Sequence, residues 1–186
     1  MVDVMGHFGM ALLWAAPAWL VWNGRRSIAF IALALTTAML PDSDLYLQLV
    51  VPVEHHGVTH TVVFVLAVAL VAGAIISTVF RGTLQRAWTD SEHHSASRTQ
   101  LFLFTAFALL WGGLSHIFAD MLSAPDIADP VQPFWPLFEK PWSVDVFWYN
   151  EPIANRWLLL VALVVHAILA YVTLGGFGNG TLSEKL

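Results

Sequence analysis

Residues 61–80 read TVVFVLAVALVAGAIISTVF, an unbroken apolar run with the length that a helix needs to cross a bilayer. This run directly follows EHHGVTH at residues 54–60, which contains three histidines. Continuous apolar runs are typical of membrane helices, whereas the strands of membrane barrels alternate apolar and polar residues. Neutral imidazole is the commonest protein ligand for metals. The stretch therefore predicts a membrane helix with candidate metal ligands at its start.

The rest of the chain has the composition of an integral membrane protein. Of its 186 residues, 58% are hydrophobic and 11% are charged, whereas soluble domains contain about 25% charged residues. We expect an all-α, polytopic membrane protein that forms one domain over residues 1–186. The apolar runs predict about five transmembrane helices, near residues 5–22, 27–40, 60–80, 99–122 and 156–174. Segment 123–155 is rich in aromatic residues, which either anchor it at the membrane surface or cover a site for an apolar substrate.

Composition also excludes several kinds of site. The chain has no cysteine, so disulfides, thiolate metal ligands and cysteine nucleophiles are ruled out. Its net charge of −5 and its 8 basic residues argue against nucleic-acid binding, which needs clustered Lys and Arg. No motif indicates a serine nucleophile with a histidine and an acid.

The basic residues indicate how the chain is oriented. Arg25 and Arg26 follow the first apolar run, and Arg81, Arg86 and Arg98 follow the third. Lys and Arg favour cytoplasmic loops, so we expect the N-terminus outside and a multi-pass protein of the cell membrane.

Histidines and aspartates from four predicted helix ends should then meet at the extracytoplasmic level. These candidate metal ligands are His7, Asp42, Asp44, His55, His60, His116 and Asp120. His116 and Asp120 share one helix face because they are four residues apart. Such groups near the end of a membrane helix are costly unless they are paired, solvated or bound to metal. The alternatives are a hydrogen-bonded pair for His116 and Asp120 and a helix-ending turn for residues 41–44.

Seven ligands exceed the four that one tetrahedral zinc ion takes. The pattern therefore predicts two or three divalent ions, with zinc favoured and manganese or iron also compatible with imidazole and carboxylate ligands. Such ions activate water for hydrolysis. Asp42 or Asp44 would be the catalytic carboxylate that orients the water or takes its proton.

Four motifs in this order resemble the YdjM-like family of membrane-bound, metal-dependent hydrolases. They are Gly6-His7, Leu40-Pro41-Asp42-Ser43-Asp44, His55-His56-Gly57-Val58-Thr59-His60 and His116-Ile117-Phe118-Ala119-Asp120, and the resemblance extends to roughly Pro136. His56 stands where that family usually has arginine, so a substrate-binding role implied for that arginine would fall to His56. The family is remotely similar to zinc-dependent phospholipase C and P1 nuclease, which implies hydrolysis of a phosphoester or lipid-related ester. The implied partners are membrane lipid and a small-molecule or lipid substrate.

Two other functions remain open from the sequence, as does the oligomeric state. A structural or interaction protein would use a closed metal site to hold helix ends together. A metal-ion transporter would place its ligands near the bilayer midplane, along a path through the membrane.

Further polar residues are assigned by their position. His166, in the middle of the last helix, is expected to be packed and hydrogen-bonded, and Glu54 is expected to orient a histidine of the cluster. His93 and His94 are expected on the opposite side of the membrane. The remaining acidic residues on the outer side have no motif support; they are Asp126, Asp129, Glu139, Asp145 and Glu151.

Overall fold

The computed structural model describes residues 2–22, 24–88, 95–149 and 151–175. Within these ranges the regular elements are all helical, joined by loops with two isolated bridges. The helices are α1 Val4–Ala15, α2 Ala18–Val21, α3 Gly24–Thr37, α4 Asp44–Leu47, α5 Val62–Val79, α6 Arg81–Trp88, α7 Arg98–Met121 and α8 Pro152–Thr173. Short 3₁₀ turns lie at Pro41–Ser43 and Val58–His60.

Five stretches within the described residues are long and apolar enough to cross a membrane, which confirms the predicted fold class. They are Val4–Val21, Gly24–Leu47, Val62–Val79, Arg98–Met121 and Pro152–Thr173. Helices suit this role because they satisfy most of their backbone groups internally, as lipid requires of a spanning segment.

The first spanning stretch is broken between α1 and α2. Pro17 has no N–H with which to bond the carbonyl of Leu13, and the N–H of Ala16 takes that carbonyl instead, at 3.3 Å. The carbonyl of Leu12 is satisfied by Nε2 of His166, 2.8 Å away on α8. Nδ1 of the same ring accepts a hydrogen bond of 2.8 Å from Nε1 of Trp19. His166 is therefore a packed, hydrogen-bonded residue, as predicted.

The second stretch differs from the expected helix over residues 27–40. It begins at Gly24, and beyond Thr37 the chain continues through the 3₁₀ turn into α4, so the candidate spanning stretch extends to Leu47. Pro41 starts that turn, where its missing N–H costs nothing. As a result Asp42 and Asp44 are buried inside the protein, 5% and 1% exposed.

The remaining boundaries shift for local reasons. Segment 81–98, which lies between two of the predicted helices, contains α6, and Leu84 of this helix packs on Ala96 and Leu101. The last helix begins at Pro152 rather than near residue 156. His93 and His94 lie outside the described residues.

Helix α7 is the centre of the bundle and packs against α1, α3 and α5, while α8 packs against α1. Small residues let the backbones approach, as is common between membrane helices. At Gly112 of α7, an added Cβ would collide with the carbonyl oxygen of Ala34 on α3. At Gly9 of α1, a Cβ would lie 2.8 Å from the backbone nitrogen of Leu159 on α8. These contacts bring the helix ends with the candidate ligands together.

The two ends of the bundle carry different residues. At one end lie the start of α1, the end of the second spanning stretch, the start of α5 and the end of α7. The opposite end carries five of the arginines, Arg25, Arg26, Arg81, Arg86 and Arg98. There the Arg26 guanidinium donates to the carbonyl of Trp88 at 3.0 Å. Segment 123–149 folds back over the end of the bundle that holds the candidate ligands. There the N–H of Val62 donates to the carbonyl of Pro133 at 2.8 Å.

Candidate metal centre

Five parts of the chain bring the predicted ligands to one place. His7 lies in the second turn of α1, Asp42 in the 3₁₀ turn, and Asp44 at the start of α4. The loop before α5 supplies His55, His56 and His60, and α7 supplies His116 and Asp120. All seven candidates meet, together with His56, and we call these eight residues the His/Asp cluster.

Asp120 lies among three histidines of the cluster. Its Oδ2 atom is 3.1 Å from Nε2 of His116 and 3.6 Å from Nε2 of His60. Its Oδ1 atom is 3.5 Å from Nε2 of His7. The His7 ring stacks on the His116 ring, with 3.7 Å between centroids and 6° between planes.

Asp42 faces two of the same nitrogen atoms from another direction. Its Oδ1 atom is 3.4 Å from Nε2 of His60 and 3.4 Å from Nε2 of His116. Asp42 and Asp120 therefore bracket these two imidazoles, an arrangement in which one carboxylate can serve two neighbouring ions.

Asp44 holds the ring of His60 from its other side. Oδ2 of Asp44 lies 3.2 Å from Nδ1 of His60 and accepts a 2.9 Å hydrogen bond from the Thr59 hydroxyl. Its Oδ1 atom lies 2.9 Å from Nδ1 of His55. A carboxylate on one imidazole nitrogen fixes the ring and makes the other nitrogen a better metal ligand.

Backbone carbonyls fix two further rings in the same way. A carbonyl can only accept, so Nδ1 of His116 donates to Ala38 at 2.7 Å, and Nδ1 of His56 donates to Asp129. In a neutral imidazole the second nitrogen then carries a lone pair. For both residues that atom is Nε2, which lies within the cluster.

The buried atoms without hydrogen-bond partners test whether the residues fit a metal. Within the cluster these atoms are Nδ1 and Nε2 of His7, Oδ1 of Asp42, Nε2 of His56, His60 and His116, and both carboxylate oxygens of Asp120. Buried polar atoms normally have partners. Where these rings are neutral, lone pairs of imidazole and carboxylate face one another at 3.1–3.6 Å, and a metal ion or a second proton on the ring relieves the repulsion. The donor set therefore fits metal ions.

Four overlapping triads of the cluster have ligand atoms within 4.8 Å of one another and could hold an ion. They are His55 with His56 and His60, His7 with Asp42 and His116, His60 with His116 and Asp120, and Asp42 with Asp44 and His55. Since Asp42, His60, His116 and His55 each belong to two triads, the cluster has room for more than one ion.

Two of the three loop histidines outside the spanning stretches have pKa values shifted in opposite directions. Burial lowers the pKa of His56 to about 4, although the Asp120 carboxylate acts in the opposite direction. Burial also disfavours protonated His60, but Asp42 and Asp44 beside its two nitrogens outweigh this effect and raise its pKa. A metal at His60 would therefore compete with a proton, as is usual for imidazole ligands.

The structure adds functional residues that the sequence did not reveal. His56 was predicted to bind substrate, but its Nε2 atom lies 3.9 Å from Oδ2 of Asp120 and belongs to a candidate metal triad. Its backbone has a φ of 63°, a left-handed conformation that is uncommon outside glycine. The orienting groups are Thr59 and the carbonyls of Ala38 and Asp129. Glu54, which was expected to have this role, has an exposed side chain.

The other acidic residues of the outer segment belong to none of the candidate metal triads, although Asp129 contacts His56 through its backbone carbonyl. Asp126 accepts from the N–H of Tyr149, and Asp145 accepts from the Ser143 hydroxyl. Glu139 lines a polar cavity of about 680 Å³ that reaches the cluster at His55 and His56. Gln132 and Trp135 also line this cavity, so segment 123–149 forms part of the entrance.

The fold and site define a polytopic helical membrane protein with a buried histidine and aspartate cluster that could hold metal ions. Its sequence matches the family model described as YdjM inner membrane protein over residues 1–181, so the chain belongs to that family. Searches of curated proteins and of solved structures found no match.

Proposed function

We propose that this protein is a metal-dependent hydrolase that cleaves a phosphoester. The observation that carries the proposal is the set of unpartnered, buried nitrogen and oxygen atoms beside a cavity open to substrate. Enzyme sites of this kind combine perturbed ionisable groups with a concave entrance.

The donor chemistry favours two or three divalent ions. The cluster offers imidazole nitrogen and carboxylate oxygen without sulfur, which suits zinc, manganese or iron. We favour zinc, because several of the ligands are imidazoles. Bound ions would supply Lewis acidity and lower the pKa of water at the site.

The residues have separable roles in this proposal. His7, His55, His60, His116 and Asp120 hold the ions, and Asp44 orients the His55 and His60 rings. Asp42 contacts two imidazoles through Oδ1 and also lines a second cavity. Since both oxygens of Asp44 are already paired with His55, Thr59 and His60, Asp42 is the better placed carboxylate to orient water or accept its proton.

The cluster is proposed to face the extracytoplasmic side of the inner membrane. Five of the six arginines lie at the opposite end of the bundle, Arg156 being the exception, and basic residues favour the cytoplasmic side. A periplasmic or external substrate would then reach the polar cavity without crossing the membrane.

The second candidate function is a structural protein whose metal joins helix ends. Such sites are closed, with all coordination positions filled by the protein. The cavity at His55 and His56 favours a site that small molecules can enter. A transporter is less compatible, because the ligands gather at one end of the bundle.

The test is hydrolysis of p-nitrophenyl phosphate and bis(p-nitrophenyl) phosphate by purified protein loaded with zinc or manganese. Wild type is compared with Asp42→Asn and with Asp126→Asn, a matched change outside the cluster. We expect metal-dependent turnover in wild type and Asp126→Asn, and its loss in Asp42→Asn. Metal-loaded wild type without turnover on either phosphoester would contradict the proposal and favour the structural role.

A further inference from the structure

Two cavities reach the His/Asp cluster, and their linings differ in chemistry. The polar cavity, described above, contains His55, His56, Gln132 and Glu139. The second cavity, of about 720 Å³, has no lining residue in common with the first. We call it the apolar groove; it is lined by Asp3, Val4, Met5, Met39, Asp42, Leu45, Tyr46 and Tyr149. A site that is reached by one polar cavity and one apolar groove suits an amphiphilic substrate.

The apolar groove lies at the surface of the spanning stretches. Val4 and Met5 belong to the first spanning stretch, and Leu45 and Tyr46 to the end of the second. These side chains are exposed in the folded chain, Tyr46 by 78% and Val4 by 55%. In a bilayer the molecules that surround this surface are lipids, so an acyl chain can enter sideways.

The apolar groove reaches Asp42, the carboxylate proposed to orient water. Asp42, which contacts His60 and His116, is its innermost polar residue, 5% exposed. Tyr46 and Tyr149 lie at the same groove, and tyrosine favours the level where acyl chains meet headgroups.

The segment after α4 extends the apolar surface. Leu49 and Val50 are 81% and 79% exposed, and Val51 is 45% exposed. Exposed apolar residues in succession at a membrane level indicate contact with lipid. A surface of this kind, close in the chain to Leu45 and Tyr46 of the groove, favours a groove that opens toward lipid.

We infer that the substrate is a long-chain lipid phosphoester, whose acyl chain enters through the apolar groove between the start of α1 and α4. This inference rests on the proposed function. The phosphoryl group would lie at the His/Asp cluster and the headgroup in the polar cavity. In the reaction, a water oxygen forms a bond to phosphorus, the ester P–O bond breaks, and the departing oxygen receives a proton.

The experiment compares substrates that share a headgroup and differ in tail. Zinc- or manganese-loaded protein in nanodiscs is assayed with dioleoyl phosphatidate, dihexanoyl phosphatidate and p-nitrophenyl phosphate. Two variants fill the groove, Met5→Trp and Leu45→Trp. The matched control is Ile168→Trp, an exposed apolar position on α8 that is remote from the groove.

We expect wild type and Ile168→Trp to prefer the dioleoyl substrate. Excluding two or more methylenes from the groove should lower kcat/KM for that substrate by about tenfold or more. The groove variants should keep their activity on p-nitrophenyl phosphate. A second readout, which needs no turnover, is the rise in unfolding temperature caused by hexadecylphosphonate relative to that caused by butylphosphonate. The groove variants should reduce this difference, and Ile168→Trp should leave it unchanged.

The outcomes separate this inference from the proposed function. Activity on p-nitrophenyl phosphate with no preference for long chains, or equal losses on all substrates in the groove variants, would overturn the lipid inference and leave the hydrolase standing. No hydrolysis of any phosphoester, with no tail-dependent thermal shift, would overturn both.

Discussion

Nε2 of His116 lies 3.1 Å from Oδ2 of Asp120, one helical turn further along α7. The other nitrogen of His116 donates to the carbonyl of Ala38, so it cannot supply the proton for this contact. In the neutral ring two buried acceptors therefore face each other, and either a metal ion or a second proton on the imidazole would stabilise the pair. Oδ2 of Asp120 also lies 3.6 Å from Nε2 of His60, so Asp120 contacts both imidazoles.

Replacing Asp120 with asparagine should remove bound metal while the fold is kept. The amide has the size of the carboxylate, but it carries no charge to balance a divalent ion. Metal content measured by mass spectrometry should fall in Asp120→Asn and stay unchanged in Asp126→Asn. Equal metal content in both variants would show that Asp120 is not a ligand.

Replacing Thr59 with valine should weaken metal binding without removing a ligand. The hydroxyl that holds Oδ2 of Asp44 is lost, so the His60 ring is less well oriented. Loss of such an orienting group typically weakens metal binding about 10–100-fold. Titration against a competing chelator measures the change, with Thr36→Val, an exposed threonine on α3, as the control. An unchanged affinity would mean that the metal does not depend on this hydrogen bond.

Replacing Gly112 with alanine should separate α3 from α7 and disturb the site at a distance. The new Cβ would meet the Ala34 carbonyl, and overpacking of this kind costs about 1–3 kcal/mol. Gly82→Ala is the control, because no atom lies within 4 Å of its added Cβ. Thermal unfolding in detergent and metal content should both fall for Gly112→Ala alone. If the two variants behave alike, the close approach of α3 and α7 is not needed.

Replacing His166 with leucine should lower stability without affecting metal content. The change leaves Nε1 of Trp19 and the Leu12 carbonyl unpaired, and an unsatisfied buried group costs about 1–3 kcal/mol. Thermal unfolding measures the loss. Metal content below wild type would mean that this histidine, and not only the cluster, supports the site.

The sequence predicted the five spanning stretches because long apolar runs have few alternatives in a membrane. It also selected the seven residues that meet, since their spacing and their position at helix ends were visible. It did not predict that Asp42 and Asp44 would be buried, because Pro and Asp usually indicate a turn leaving the helix. Here the helical path continues past Pro41.

The groups that orient the histidines could not be identified in advance. The carbonyls of Ala38 and Asp129 have no side-chain signal, and their role depends on how α3 and the outer segment pack. Thr59 was visible next to His60, but a threonine beside a histidine is too common to assign. Glu54 was selected for its charge and its position in the chain, and its side chain is exposed.

The most direct test of the proposed metal centre is the number of metal ions bound to the purified protein. Wild type, Asp42→Ala, His60→Ala and His166→Leu are reconstituted with zinc or manganese, and bound metal is counted by mass spectrometry. If the His/Asp cluster is a metal centre, wild type and His166→Leu should bind two or more ions per chain, and both cluster variants should bind fewer. Folded wild-type protein that binds no ion under these conditions would contradict this proposal, because the histidines and aspartates would then be interhelical hydrogen-bond partners.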